Sequence, residues 1–278
     1  MKKKRIVHMS KPVIKWVGGK RQLINDIKRL LPKKYNRYFE PFIGGGALFF
    51  DLKHTNAFIN DYNPELTNLY KILRDNPQEL MSDLDKHINE SEYYYELRVL
   101  DRDVKKFKKL TLVERASRFI YLNKSGFNGL YRVNSKGECN VPFGKQKNPR
   151  YYDAKNIMSC SELLKDTEIT TGDFENIKEH IKEGDFVYFD PPYVPLSETS
   201  SFTGYTDKGF DEDMQLRLRE LCDYIEELGA YFMLSNSDTP YVKELYEGYK
   251  FHIVEATRSI NSKASGRGKI KEVIVTNY

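Results

Sequence analysis

The chain of 278 residues is 40% hydrophobic and 31% charged, with a formal net charge of +5. This balance predicts a globular fold of one large domain, or a core domain carrying a substantial insertion. No apolar run approaches the length of a bilayer span, and Lys2-Lys3-Lys4-Arg5 leads into no secretory-type apolar stretch; this excludes a membrane-spanning protein and predicts a cytoplasmic one.

In chain order, a helical stretch over residues 20–31 precedes short buried strands at 38–42 and 57–60. A helix follows at 64–76. From about residue 65 to 160 no strand–helix alternation is visible. The segment is helical at first, with apolar positions three and four apart over 113–122, then rich in Gly, Asn and Lys from 125 to 149. It reads as an insertion with a small helical fold and a long loop or hairpin. Alternation resumes with strands at 186–190, 230–235, 252–256 and 272–276 and helices at 213–228 and 241–246. This pattern predicts an α/β fold whose sheet is covered by helices on both faces. The polar stretch 258–271 has no helix signal, so the last two strands are expected to pair as an antiparallel hairpin at the sheet edge.

Cys139, Cys160 and Cys222 stand far apart without a CxxC pair. His8, His54, His87, His180 and His252 show no ligand spacing. Neither a disulfide framework nor a metal site is expected. Positive charge is concentrated in two places: residues 1–21 carry a net +8 and residues 98–150 a net +10, leaving −13 elsewhere. Such clustering is the footprint of a polyanion partner; the alternative is a solvated basic surface.

Three motifs can carry chemistry. Glu40-Pro-Phe42-Ile-Gly44-Gly-Gly46-Ala47 follows a predicted strand and precedes a helical run, and Asn60-Asp61 ends the next strand. A Gly-rich turn beside an acid at a strand end suits a nucleoside cofactor, with the acid on ribose hydroxyls. A plain tight turn is the alternative. Lys15-Trp16-Val17-Gly18-Gly19-Lys20 holds the only tryptophan. It reads as a Trp and Lys closing over a cofactor, or as a core Trp with solvated lysines.

Asp190-Pro191-Pro192-Tyr193 ends the apolar strand Phe186-Val-Tyr-Phe189, where open α/β sheets place function. The lone pair of a ring-conjugated amino group such as N6 of adenine is a poor nucleophile. Asp190 and the Pro191 carbonyl, fixed by two prolines, can accept its two N–H hydrogens and favour positive charge as it attacks an activated methyl. Tyr193 offers a ring for stacking a base. The plain alternative is a Pro-stiffened turn with a solvated Asp.

The ordered set of these motifs, together with Gly172-Asp173-Phe174, resembles the Dam-type N6-adenine DNA methyltransferases, including the methylases of GATC restriction–modification systems. The similarity runs from Lys15 to about Tyr278. It implies a Rossmann-like class I methyltransferase sheet over 1–64 and 161–278, with a mainly helical DNA target-recognition domain bearing a β-hairpin loop over 65–160. It implies S-adenosylmethionine as cofactor, contacted by Trp16, Lys20, Phe42, Gly44, Gly46, Asp61, Asp173, Phe174 and Asp190. A loop-entry acid and a core aromatic are the alternatives for Asp173 and Phe174. The resemblance also implies that Asn123-Lys-Ser-Gly-Phe-Asn-Gly-Leu-Tyr-Arg-Val-Asn134 and Asn140-Val-Pro-Phe-Gly144 form a recognition hairpin on double-stranded DNA. There Arg132 would read a guanine edge, and Leu130 and Pro142 a thymine methyl. Phe127 would wedge into the stack, Asn128 would fill the gap left by a flipped adenine, and Lys15 and Asn134 would complete the contacts. A generic phosphate-binding loop is the alternative. Tyr131, bulky, lies between matched positions, and Phe127 stands where some relatives carry tyrosine; neither is expected to change specificity. The polar stretches 195–206 and 258–271, the latter with Lys263, Arg267 and Lys269, are expected to touch DNA or to be plain surface loops. A restriction endonuclease for the same site is an expected companion. Two other readings were weighed: an amino-methyltransferase acting on RNA or protein glutamine, and a catalytically inactive DNA-binding regulator.

Overall fold

The computed structural model describes residues 10–134, 136–194, 210–257 and 269–278. The expected contacts in 195–206 and at Lys263 and Arg267 lie outside the described residues, as does the Lys269 side chain. Seven strands form one sheet: β1 (Tyr38–Glu40), β2 (Ala57–Asp61), β3 (Thr167–Thr171), β4 (Phe186–Phe189), β5 (Tyr231–Ser237), β6 (Lys250–Thr257) and β7 (Lys269–Thr276), in the order β3-β2-β1-β4-β5-β7-β6. Strand β1 runs parallel to β2 and β4, and β4 parallel to β5. Strand β7 then inserts antiparallel between β5 and β6, so the expected edge hairpin is present. It is longer than the sequence suggested: Glu255 pairs with Lys271 and Thr257 with Lys269, so 269–271 is strand, not loop.

The helices are α1 (Ile24–Leu30), α2 (Ala47–Leu52), α3 (Pro64–Asp75), α4 (Pro77–Leu84), α5 (Ser91–Val99), α6 (Val104–Phe107), α7 (Leu112–Ser125), α8 (Ala154–Leu164), α9 (Glu212–Glu227) and α10 (Pro240–Leu245). The helix expected over 20–31 is split: Lys20–Gln22 is a 3-10 turn and α1 starts at Ile24. Strand β3, Thr-Glu-Ile-Thr-Thr, was not foreseen, because it buries only Thr167 and Ile169 and offers little apolar signal.

Two compact units can be described. One takes the described residues within Met1–Gly19, Gly44–Asn56 and Asp61–Gly172; the other those within Lys20–Ile43, Ala57–Asn60 and Asp173–Tyr278. In the second unit every residue of β1 and β4 is buried, as expected for parallel strands covered on both faces. Phe39, Phe58, Phe189, Phe232, Val273 and Leu221 share its core.

The first unit is mainly helical. Helix α3 starts on Asn63, whose side chain accepts from the N–H groups of Glu65 and Leu66, with Pro64 in the first turn. Helix α7 starts on a capping box in which Thr111 and Glu114 satisfy each other's N–H groups. It packs on α3 and α4. The expected β-hairpin loop is irregular rather than a strand pair. Helix α7 absorbs Asn123, Lys124 and Ser125, a 3-10 turn spans Phe127–Gly129, and only isolated antiparallel bridges, Gly126 to Phe143 and Val133 to Cys139, join the two arms.

Within the basic stretch 98–150 one charge is structural. Arg118 is buried; it donates to the Leu97 and Arg98 carbonyls and lies 3.0 Å from Asp101. Asp101 in turn accepts the Cys139 N–H at 3.0 Å, so this pair ties the irregular hairpin to the helices. Among the described residues no helix is long and apolar enough to cross a membrane, and no group of three or more His, Cys, Asp or Glu could hold a metal ion. Arg118→Ala should destabilise the protein by about 3 kcal/mol in urea denaturation, because Asp101 is left without its buried partner.

Candidate active site

Strand β4 ends at Phe189, and the chain leaves the sheet through Asp190-Pro191-Pro192-Tyr193. Neighbouring elements hold this turn at three points. Gln215 of α9 donates to the Pro192 carbonyl at 3.4 Å, Asn236 of β5 accepts the Val194 N–H at 3.0 Å, and Glu272 of β7 accepts the Tyr193 hydroxyl at 2.8 Å. Lys20 comes from the 3-10 turn before α1. Its Nζ lies 2.7 Å from Asp190 Oδ1 and 4.4 Å from the Tyr193 ring centroid. Lys20 is buried, whereas the Asp190 side chain keeps 20% exposure. Burial pushes the Asp190 carboxyl above its usual range, Lys20 pulls it back, and Glu272 adds to the rise. Burial, and then the Asp190 and Glu272 charges, push the Tyr193 phenol well above its ordinary value.

An aromatic group lies in the same unit. The Phe42 ring stacks 5.4 Å from Phe174, and Phe210 lies 5.7 Å from Phe42 and 5.9 Å from Phe174. Asp173 accepts the Glu175 N–H at 2.9 Å and pairs with Arg217 at 3.0 Å, while that guanidinium sits 5.2 Å over the Phe174 ring. A capping, ion-paired acid and a core aromatic are therefore sufficient to explain how these two residues pack. Asn60 is fully buried and donates to the Pro41 carbonyl at 3.1 Å, and its own carbonyl accepts the Ile43 N–H. It fixes the entry to the Gly-rich turn.

In the first unit the glycines also make room for a side chain. A Cβ on Gly44 would sit 2.8 Å from Trp16 Cδ1, and one on Gly45 2.8 Å from Trp16 Cβ. The indole by itself demands this close approach. Gly44 and Gly46 also hold positive φ, 47° and 67°. Asp61 accepts the Gly44 N–H at 3.0 Å and the Asn63 N–H at 2.9 Å. Burial pushes its carboxyl up to about 6 despite those N–H groups. Tyr70 donates to the Gly44 carbonyl at 2.7 Å. Trp16 also stacks on Tyr131, centroids 6.2 Å apart. Tyr131 is buried and points inward, whereas Arg132 is exposed.

The candidate DNA-contacting residues divide by surroundings. Phe127 is 53% exposed, and Asn128 beside it is exposed with φ 58°. Asn123 accepts the Lys15 N–H at 2.9 Å and donates to the Lys15 carbonyl at 2.8 Å, and a Cβ on Gly129 would meet Lys15 Cδ at 2.8 Å. Lys15 thus lies along the Phe127–Gly129 turn. Arg132 donates from Nε to Asn140 Oδ1 at 2.8 Å. Pro142 is exposed, Leu130 half-buried, and the Pro142 carbonyl accepts the Phe127 N–H. Asn134 is a staple: its amide donates to Glu138 and its Oδ1 accepts the Lys136 and Glu138 N–H groups.

Sequence reasoning missed Gln215, Asn236, Glu272, Asn140 and Asn60 as supports. Only Glu272 left a trace, an acid in register with Ile274 and Thr276 on a strand that is otherwise apolar or β-branched.

With this geometry in view, the class is that of an amino-methyltransferase built on an α/β sheet. The D12 class N6 adenine-specific DNA methyltransferase model matches residues 16–260, and the chain belongs to that family. It is an adenine-specific DNA methyltransferase. The type II methyltransferase M1.LlaDCHI of Lactococcus lactis subsp. cremoris is 52% identical over 272 residues, covering 96% of this chain and 95% of that protein. The type II methyltransferase M.MjaIII of Methanocaldococcus jannaschii is 41% identical, covering 96% and 99%. The DNA adenine methylase of Escherichia coli K12 is 34% identical, covering 94% and 93%.

Lys20→Met removes the cation that holds the Asp190 carboxyl down. Its pKa should rise, so the acid limb of the methylation rate should move to higher pH. A pH–rate profile of wild type and variant checks this; an unmoved limb would show that the pair does not set the protonation of Asp190.

Proposed function

We propose that this methyltransferase transfers the methyl of S-adenosylmethionine to N6 of an adenine flipped out of double-stranded DNA, within GATC. The observation that carries the reading is the Asp190 carboxylate at the end of β4, paired with Lys20 on one oxygen and followed by two prolines.

The residues fit such a cofactor. Two carboxylates, Asp190 and Glu272, and one ammonium, Lys20, lie around Tyr193; the surplus negative charge suits a sulfonium cation. The Asp61 carboxylate accepts the Gly44, Asn63 and Tyr62 N–H groups, and two oxygens with about four acceptor sites leave room for a ribose hydroxyl. Phe42 and Phe174 would lie by the adenine ring, with Asp173 supporting them. By the resemblance, Trp16, Gly44 and Gly46 of the first unit and Lys20 of the second are further cofactor contacts. The bound cofactor supplies an electrophilic methyl.

The chain's own residues do the rest. Asp190, through the oxygen Lys20 does not engage, and the Pro191 carbonyl accept the N6 hydrogens and orient the nitrogen lone pair. Positive charge growing on N6 is stabilised by that carboxylate, and a carboxyl raised by burial is also a better acceptor for the departing N6 proton. Tyr193, with Lys20 over one ring face, offers the other to the base.

The GATC assignment rests on the resemblance, supported by the exposure of Arg132, Pro142, Phe127 and Asn128 and by Lys15 beside them. Arg132 would read guanine, Leu130 and Pro142 thymine methyls, and Asn134 shapes the turn that presents them. On this reading 65–160 is the target-recognition region. The names of the type II relatives further suggest a companion endonuclease for the same site.

Asp190→Ala should abolish methyl transfer from tritiated cofactor while DNA affinity stays within about threefold; near-normal turnover would overturn the mechanism. Wild type should label a GATC duplex and leave one carrying N6-methyladenine on both strands unlabelled. Equal labelling of duplexes with altered sites would remove the GATC assignment. Cofactor affinity should fall as pH drops through about 6, where Asp61 gains a proton and accepts ribose hydroxyls less well. In Asp61→Asn that step should vanish, as measured by equilibrium dialysis between pH 5 and 8.

A further inference from the structure

Strand β7 crosses the carboxyl end of the sheet beside β5, with Glu272 opposite Ser237. An acid here is not explained by folding. Glu272 is only 9% exposed and precedes the wholly apolar run Val273-Ile274-Val275. A buried carboxylate is costly unless a partner justifies it. Its partner is the Tyr193 hydroxyl at 2.8 Å, the last residue of the tetrapeptide.

The Tyr193 ring would otherwise be free to swing. The two prolines fix the backbone before it, and Asn236 fixes the backbone after it through the Val194 N–H. Neither controls rotation about the side-chain bonds. The Lys20 ammonium 4.4 Å from the ring centroid sets one face without fixing the plane. The hydroxyl bond to Glu272 acts at the far end of the side chain, on the axis of ring rotation, so it stops the swing of the whole side chain about the Cα–Cβ bond and sets where the ring lies.

We propose that Glu272 is a positioning residue for methyl transfer: its carboxylate holds the Tyr193 hydroxyl and so fixes the position of the ring on which the target base stacks. This rests on the functional reading above. Glu272 touches neither the base nor the methyl; it acts through Tyr193. A bond to a charged acceptor is among the stronger ones a side chain can make, and a displaced stacking ring costs rate by misplacing N6 relative to the methyl.

The test is a double-mutant cycle on the single-turnover methylation rate, with tritiated S-adenosylmethionine and a GATC duplex, over wild type, Glu272→Ala, Glu272→Gln, Tyr193→Phe and the Tyr193→Phe/Glu272→Ala double variant. Glu272→Ala and Tyr193→Phe should each slow the step roughly ten- to hundredfold. The double variant should be no slower than the worse single one, because both remove one interaction. Glu272→Gln keeps an acceptor oxygen and should recover most of the rate. Affinities for cofactor and duplex should stay within about twofold. A Glu272→Ala variant at the wild-type rate, losses that multiply in the double variant, or a Gln variant as slow as the Ala one would each overturn the proposal. A wild type that labels no adenine would overturn the functional reading itself, and the proposal with it.

Discussion

An ammonium and a carboxylate 2.7 Å apart at the end of a buried parallel strand set the terms for the rest of the site. In the proposed mechanism Asp190 has to stay charged to accept hydrogens from an amino group, yet it sits where burial favours its neutral form. Lys20 resolves the conflict. It does so from a 3-10 turn four residues after the tryptophan that packs on the Gly-rich turn, so one short stretch of chain serves both functions. The cost of burying Lys20 is offset by Asp190 and by the face of Tyr193.

The support around this pair is polar and comes from three different elements. Gln215, Asn236 and Glu272 each bond a different part of the tetrapeptide or of the residue after it. A turn rich in proline has few N–H groups with which to hold itself. Its carbonyls, its hydroxyl and the next N–H must therefore be held by side chains. The antiparallel pairing of β7 with β5 brings Glu272 to the right place. The edge hairpin is thus part of the site as well as of the sheet.

Much of this fold was legible in the sequence because buried strands declare themselves. Phe186–Phe189 and the apolar stretch at β5 are runs that water would not tolerate exposed. Strand β3 escaped because its residues are mostly Thr and Glu. The stretch 126–144 reads in the sequence as a long loop or hairpin, and its two isolated bridges fall between the two, because Gly and Asn signal turns without signalling pairing. The place of the tetrapeptide at the end of β4 was legible from the apolar run before it; the pairing of Lys20 with Asp190 was not, since the two lie 170 residues apart in the chain. Nor were their supports, since a glutamine on an amphipathic helix or an asparagine in a strand has no distinctive spacing. The packing of the Trp16 indole on Gly44 and Gly45 was not legible, because nothing in the spacing of the two motifs announces it.

The central claim is that the target adenine leaves the duplex and stacks on Tyr193. It is tested most directly by placing 2-aminopurine at the adenine of GATC and recording its emission on binding. The account predicts a changed spectrum with wild type at that position and none at a neighbouring one, with emission rising further in Tyr193→Ala as the stacking partner is lost. A spectrum identical to that of the free duplex at the target position would contradict it.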